Sequence, residues 1–185
     1  NGIEAFDIVR LQTSLVSRGY KPGSINRITL LLKVIINTAR RWKVASQPSE
    51  WAADAPELPD HEFREKYLTT EQALRLINVC LNHDKLTASH LVLALLFTGA
   101  RKSELLFASW DSLDIASKTL KIPLSKSGKT RYLYLSDEAL QIFAKQRPLA
   151  GPHFIFSEAN RVKPISSVSK TWNDIRHRAG LDDYR

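Results

Sequence analysis

The chain has 185 residues, 43% of them hydrophobic, enough for one medium domain or two small ones with an unstapled apolar core. A single cysteine, Cys80, excludes an internal disulfide and fits a reducing compartment. With no positive-then-apolar leader and no apolar run longer than Leu91 to Phe97, neither secretion nor a membrane span is expected, and the protein is read as cytoplasmic. The formal charge of +8 and a pI of about 9.7 suit a polyanionic partner.

The charge is unevenly placed. Residues 1–43 hold eight Lys/Arg against Glu4 and Asp7, net +6. Residues 50–66 hold six acids against Arg64 and Lys66, net −4. The remainder carries 17 basic and 11 acidic residues, net +6. The acidic joint overlaps residues 47–60, QPSEWAADAPELPD, whose three prolines break regular structure. The expected organisation is a helical block over 1–46, a linker over 47–66 and a second block over 67–185.

In the first block, Ile3, Phe6, Val9, Leu11 and Leu15 predict a helix over 3–17, stopped by Gly19. Ser24 is a candidate N-cap for a second helix over 25–42, with Ile25, Ile28, Leu32, Ile35, Ala39 and Trp42 on one face. A second face carries Asn26, Thr29, Lys33, Asn37 and Arg40 at steps of three and four.

The second block opens with Thr69-Thr70-Glu71-Gln72, a capping-box pattern for a helix to about residue 82. Residues 88–98 are apolar nearly all round, the mark of a central core helix, and Gly99 ends them. A short helix follows over 101–108. Residues 119–124 and 130–135 alternate polar and apolar and predict a β-hairpin across Ser125 to Lys129, with Pro123 suggesting an edge strand. Ser136 caps a helix over 137–146, residues 154–156 are read as a third short strand, and a last helix covers 166–178 up to Gly180. The expected class is mainly α with a small three-stranded antiparallel sheet.

Three sets of residues carry candidate chemistry. Arg101 sits at a helix start, where free N–H groups and a guanidinium together favour an oxyanion, although a plain ion pair with Glu104 is also open. Lys126 lies in the hairpin tip. A solvated lysine is the ordinary reading there, but Lys118, Lys121, Lys126, Lys129 and Arg131 meet no acid between Ile115 and Ser136, which favours a polyanion as the missing partner. The stripe Asn26, Thr29, Lys33, Asn37 and Arg40 mixes amides, a hydroxyl and cations without an acid. Flanked by Lys21, Arg27 and Arg41, it suits phosphate and base-edge contacts in DNA better than a merely solvated face. The neighbours of Cys80 are apolar, so it is read as a buried structural thiol.

The stretch LALLFTGARKSELLFASWDSLDIASKTLKIPLSKSGKTRYLYLS, residues 93–136, resembles the first catalytic box and following hairpin of tyrosine recombinases, the phage integrase family. Residues 19–42, GYKPGSINRITLLLKVIINTARRW, resemble the last helix of that family's core-binding domain, so the likeness covers almost the whole chain. It implies site-specific DNA recombination or integration, as in phages and mobile elements, through a 3′-phosphotyrosyl intermediate, with no metal, cofactor or ATP. Double-stranded DNA would be the partner, and the intact protein would act as a tetramer on paired sites.

By motif, Arg101 would be the first catalytic arginine and Lys126 the general acid, with Lys129 the other candidate. Lys129 and Arg131 would also touch DNA, and Glu104 would orient the Arg101 helix. The family's second box, His-x-x-Arg and the nucleophilic tyrosine, follows a helix like residues 166–178 and is expected to begin only where Leu181-Asp-Asp-Tyr-Arg185 stands. His177 does not fit it, and Tyr20, Tyr67, Tyr132, Tyr134 and Tyr184 all precede the expected nucleophile. These residues by themselves are therefore expected not to cleave DNA. The alternatives are a non-catalytic DNA-binding module or regulator of the same fold, type IB topoisomerase chemistry, and an α-helical scaffold with incidental basic charge.

Overall fold

In a computed structural model, the residues described are 5–44, 56–59, 67–123, 130–159 and 161–184. The chain divides into two compact units, residues 1–65 and 66–185. No helix among the described residues is long and apolar enough to cross a membrane.

The first unit contains a helix pair, α1 (Ala5–Ser17) and α2 (Pro22–Arg41). Gly19, at φ 78°, turns the chain out of α1 where a side chain would be strained. Lys21 rather than Ser24 is the N-cap of α2, because Pro22 at the first helical position is pre-set for helix and its missing N–H costs nothing there.

The buried stripes differ from the expected ones. Ile8, Gln12 and Leu15 of α1 meet Ile25, Thr29 and Ile36 of α2, while Phe6, Val9, Ile28, Ile35 and Trp42 are exposed. Two polar residues occupy the seam and satisfy each other, with the Gln12 amide donating to Thr29 Oγ1 at 3.5 Å. Counting apolar residues alone places Thr29 on the polar face. Residues 56–58 also pack here. Gln12 Nε2 donates to the Pro56 carbonyl at 3.0 Å, and the Asn26 amide exchanges two hydrogen bonds with the Leu58 backbone, at 2.7 and 2.9 Å.

The second unit opens with α3 (Thr70–Leu81), entered through a complete capping box in which Thr69 and Gln72 bond each other's backbone N–H groups. Helix α4 (Leu86–Thr98) is buried continuously from Ser89 to Ala94 and packs against α3, α5, α6 and α7, as an all-round apolar helix must. Its two buried polar residues are satisfied: Ser89 Oγ donates to carbonyls one turn back, and His90 Nδ1 lies 2.9 Å from Gln146 Oε1.

After α5 (Lys102–Leu106) come β1 (Leu113–Asp114), β2 (Thr119–Ile122) and β3 (Arg131–Tyr134), an antiparallel sheet in the order β1-β2-β3. Leu120, Ile122 and Leu133 point into the core, while Lys121, Tyr132 and Tyr134 face out. Two expectations are corrected. The third strand is residues 113–114, too short to show alternation, and not 154–156. Phe154 forms only an isolated bridge to Ser109, and Ile155 and Phe156 are core plugs, with Phe156 edge-on to Phe143 at 6.0 Å. The 119–122 strand is central rather than an edge, and Pro123 lies just past its last paired residue, where no ladder N–H is needed.

Helix α6 (Asp137–Gln146) is capped by Ser136. Helix α7 (Ser169–Arg178) begins later than expected, and Gly180 at φ 66° ends it. Buried His83 ties the α3–α4 turn to α7. Its Nδ1 accepts from the Lys85 N–H at 2.9 Å, which leaves Nε2–H to donate to Asp174 at 3.0 Å.

Candidate active site and nucleic-acid interface

Helix α4 ends at Gly99, φ 60°, and the left-handed turn delivers Arg101 in extended conformation to the N-cap of α5. An arginine cannot accept a capping hydrogen bond, since a guanidinium has no acceptor. The cap is made from the other side. Glu104, at the third helical position, accepts the Arg101 backbone N–H at 2.9 Å and the Arg101 side chain at 2.9 Å. The ion pair considered for Arg101 therefore exists, but Glu104 is also shared. Arg131 Nη2 donates to its second oxygen at 2.5 Å.

Glu104 is buried beneath two half-exposed guanidiniums. Burial pushes its carboxyl up, but hydrogen bonds from Arg131 and from the Arg101 backbone and side chain outweigh this and hold it at about 2. One fixed carboxylate thus neutralises one of two cations, and the cluster keeps a positive charge. Arg131 Nε is buried with no partner among the described residues. Such an arrangement presents a rigid guanidinium at a helix start, preorganised for an anionic oxygen.

The register places Arg131 opposite Ile122, the last described pair before residues 124–129. Lys126 and Lys129 lie within that segment, outside the described residues. Of the five hairpin cations expected to lack acids, two have them: Lys118 pairs with Asp137 at 2.7 Å and Arg131 with Glu104. Both acids lie outside the hairpin, in helices, where a count along the strand does not see them. The sign that Arg131 needed a partner was the lack of any acid on its own hairpin.

The α2 stripe also divides. Thr29 is buried and its hydroxyl donates to the Ile25 carbonyl, and Asn26 is held by Leu58, so both serve the packing of their own unit. Lys33 is half-buried and lines a small recess with Gln12, Thr29, Pro56 and Glu57. Lys21, Arg27, Asn37 and Arg41 are exposed and Arg40 half-exposed.

The one His-x-x-Arg of the sequence, His61-Glu-Phe-Arg64, precedes the Arg101 motif instead of following the hairpin, with Tyr67 three residues beyond it. The Tyr184 hydroxyl lies 3.0 Å from both the Tyr67 carbonyl and Gln72 Oε1, and His177 pairs with Asp182 at 3.2 Å.

A comparison with curated protein sequences finds no match. Solved structures are similar in fold. The Tn1549 transposon integrase in complex with circular intermediate DNA matches 100% of this chain and 67% of its own, at 17% identity and a TM-score of 0.75. A lambda integrase dimer bound to a COC′ core site matches 97% of this chain at 19% identity and a TM-score of 0.77. A lambda integrase tetramer bound to a Holliday junction does so at 20% identity, also at 0.77. The chain spans 64% and 54% of those two lambda chains. The model of the phage integrase family matches residues 66–185, the whole of the second unit, and the chain belongs to that family.

Proposed function

We propose that these residues are the phosphate-gripping part of a tyrosine recombinase, which performs site-specific recombination on double-stranded DNA. A tyrosine outside the 185 residues attacks a DNA phosphate, giving a 3′-phosphotyrosyl link and a free 5′-hydroxyl. A second 5′-hydroxyl then reverses the step on another strand, so the bond energy is conserved. Arg101 holds the non-bridging oxygens and stabilises the charge growing on them. Lys126 protonates the leaving 5′ oxygen as general acid, with Lys129 the other candidate.

The observation that carries this reading is the buried Glu104 carboxylate, which fixes Arg101 at the start of α5 and ties it to Arg131, five residues after Lys126 in sequence. Family membership and the DNA present in the similar structures support it. Lys21, Arg27, Asn37, Arg40 and Arg41 of the helical block, with Lys129 and Arg131, contact the duplex. Lys33 joins them from the edge of the stripe. Residues 1–46 belong to a core-binding domain, 47–66 connect it, and 67–185 form part of the catalytic domain. The intact protein works as a tetramer in the DNA-containing, reducing cytoplasm.

The test uses the longer protein that carries the second box and the tyrosine. Arg101→Lys and Lys126→Ala, made separately, should each lower strand cleavage about 100- to 1,000-fold and change DNA affinity only a few-fold. Cleavage at the unmodified rate in Arg101→Lys overturns the reading. A covalent DNA adduct on any tyrosine of the 185-residue chain overturns the proposal that the nucleophile lies outside it.

A further inference from the structure

Helix α6 has a buried face and an open one. Ala139, Ile142, Phe143 and Gln146 are buried, and the helix packs against α4. Leu140, Gln141 and Ala144 fall on the open face, between Asp137 at the start of the helix and Arg147 just past its end. That face is one wall of a cleft of about 830 Å³, and Trp110, Leu113 and Ile115 form the other. Leu113 and Leu140 are only half-buried, and Ile115 is 68% exposed.

The cleft has the shape for an extended chain. Asp137 and Arg147 both line it, and the helical rise between them makes it about 15 Å long, the reach of four or five extended residues. Strand β1 borders it as an outer strand, paired with β2 on one side and with no strand on the other among the described residues. A segment laid along such an edge finds main-chain partners and drops alternate side chains into the cleft.

The charge of the cleft selects among segments. Asp137 is paired with Lys118 at 2.7 Å. Arg147 has no acid partner among the described residues, and its guanidinium lies 4.5 Å over the Trp110 ring. The ring face holds the guanidinium in place and leaves its charge available. Nucleic acid is a poor occupant, since most of the lining is apolar and the Asp137 carboxylate would repel a phosphate.

We propose that this cleft docks a short extended segment of another protein, apolar at alternate positions and carrying an acid that meets Arg147. The apolar side chains would lie between Trp110, Leu113 and Leu140, and the backbone would run beside β1. The proposal does not rest on the function proposed above, which turns on Arg101 and Lys126.

The test titrates the 185-residue chain with the acetylated, amidated pentapeptide Leu-Thr-Val-Thr-Glu and with the same peptide ending in Gln, followed by NMR. The Leu113 and Ile115 amides should shift with both. The Glu peptide should bind about two- to fivefold more tightly, the worth of one exposed ion pair. Arg147→Gln should make the two affinities equal. Ala144→Glu, a change at an exposed position that fills the cleft, should abolish the shifts.

No shift at Leu113 and Ile115 with either peptide at millimolar concentration overturns the proposal, as do equal affinities for the two peptides in the unmodified chain. A chain that sediments as a dimer and becomes monomeric with Ala144→Glu has a second copy in the cleft, which overturns it too. Shifts of the same amides with a DNA duplex would assign the cleft to nucleic acid and overturn it as well.

Discussion

Arg131 and Glu104, 27 residues apart, meet at 2.5 Å, and through that contact the second cation of the cluster reaches the carboxylate that holds Arg101. Glu104→Gln should therefore do more than remove a charge. It leaves two guanidiniums facing a neutral amide. The cost should be about 1–3 kcal/mol, moderated because both guanidiniums are half-exposed, as read by chemical denaturation.

The same contact sets an acid limb. Because Glu104 lies at about 2 when folded against its ordinary 4.5, its contribution is fully present above pH 4.5 and fades as pH falls towards 2. Arg131→Ala removes one of the hydrogen bonds that lower it, so the Glu104 carboxyl should titrate at a higher pH. Acid unfolding monitored by circular dichroism should move to higher pH in that variant.

The α2 residues should separate by role. Arg40→Gln and Arg41→Gln should each weaken duplex binding and reduce the salt slope by about 1. Asn26→Ala should instead cost about 1–2 kcal/mol of stability, since it abandons the Leu58 N–H and carbonyl, and leave the salt slope unchanged. Equal effects of the two kinds of change on the slope would refute this division.

Tyr184→Phe removes a hydroxyl 3.0 Å from the Tyr67 carbonyl and from Gln72 Oε1. Gln72 also closes the α3 capping box, so the loss loosens the entry to the second unit. The expected cost is about 1 kcal/mol by urea denaturation.

Burial pushes the Cys80 thiol up to about 12. At pH 8 it should stay protonated and resist a thiol-reactive dye in the folded protein, reacting only as denaturant unfolds the chain. Prompt labelling under native conditions would contradict its place in the core.

Much of this was written locally. The Thr69–Gln72 box, the all-apolar α4, Gly99 and Gly180 as helix stops, the Ser136 cap and the antiparallel pairing of 119–122 with 131–134 depend on neighbours close in sequence, and each is present. Arg101 at a helix start is local for the same reason.

What needed the fold are the relations between distant residues. The inward faces of α1 and α2 were decided by the Gln12–Thr29 pair and by residues 56–58, whose backbone spends Asn26 that the stripe had offered to DNA. The acid for Arg131, the pairing of β1, and the gathering of Trp110 and Leu113 with Leu140 and Arg147 arise when segments tens of residues apart pack together. A hydrophobic period tells which residues prefer to be buried. Which polar groups must be satisfied, and by whom, is settled only when the chain closes and water is excluded from between them.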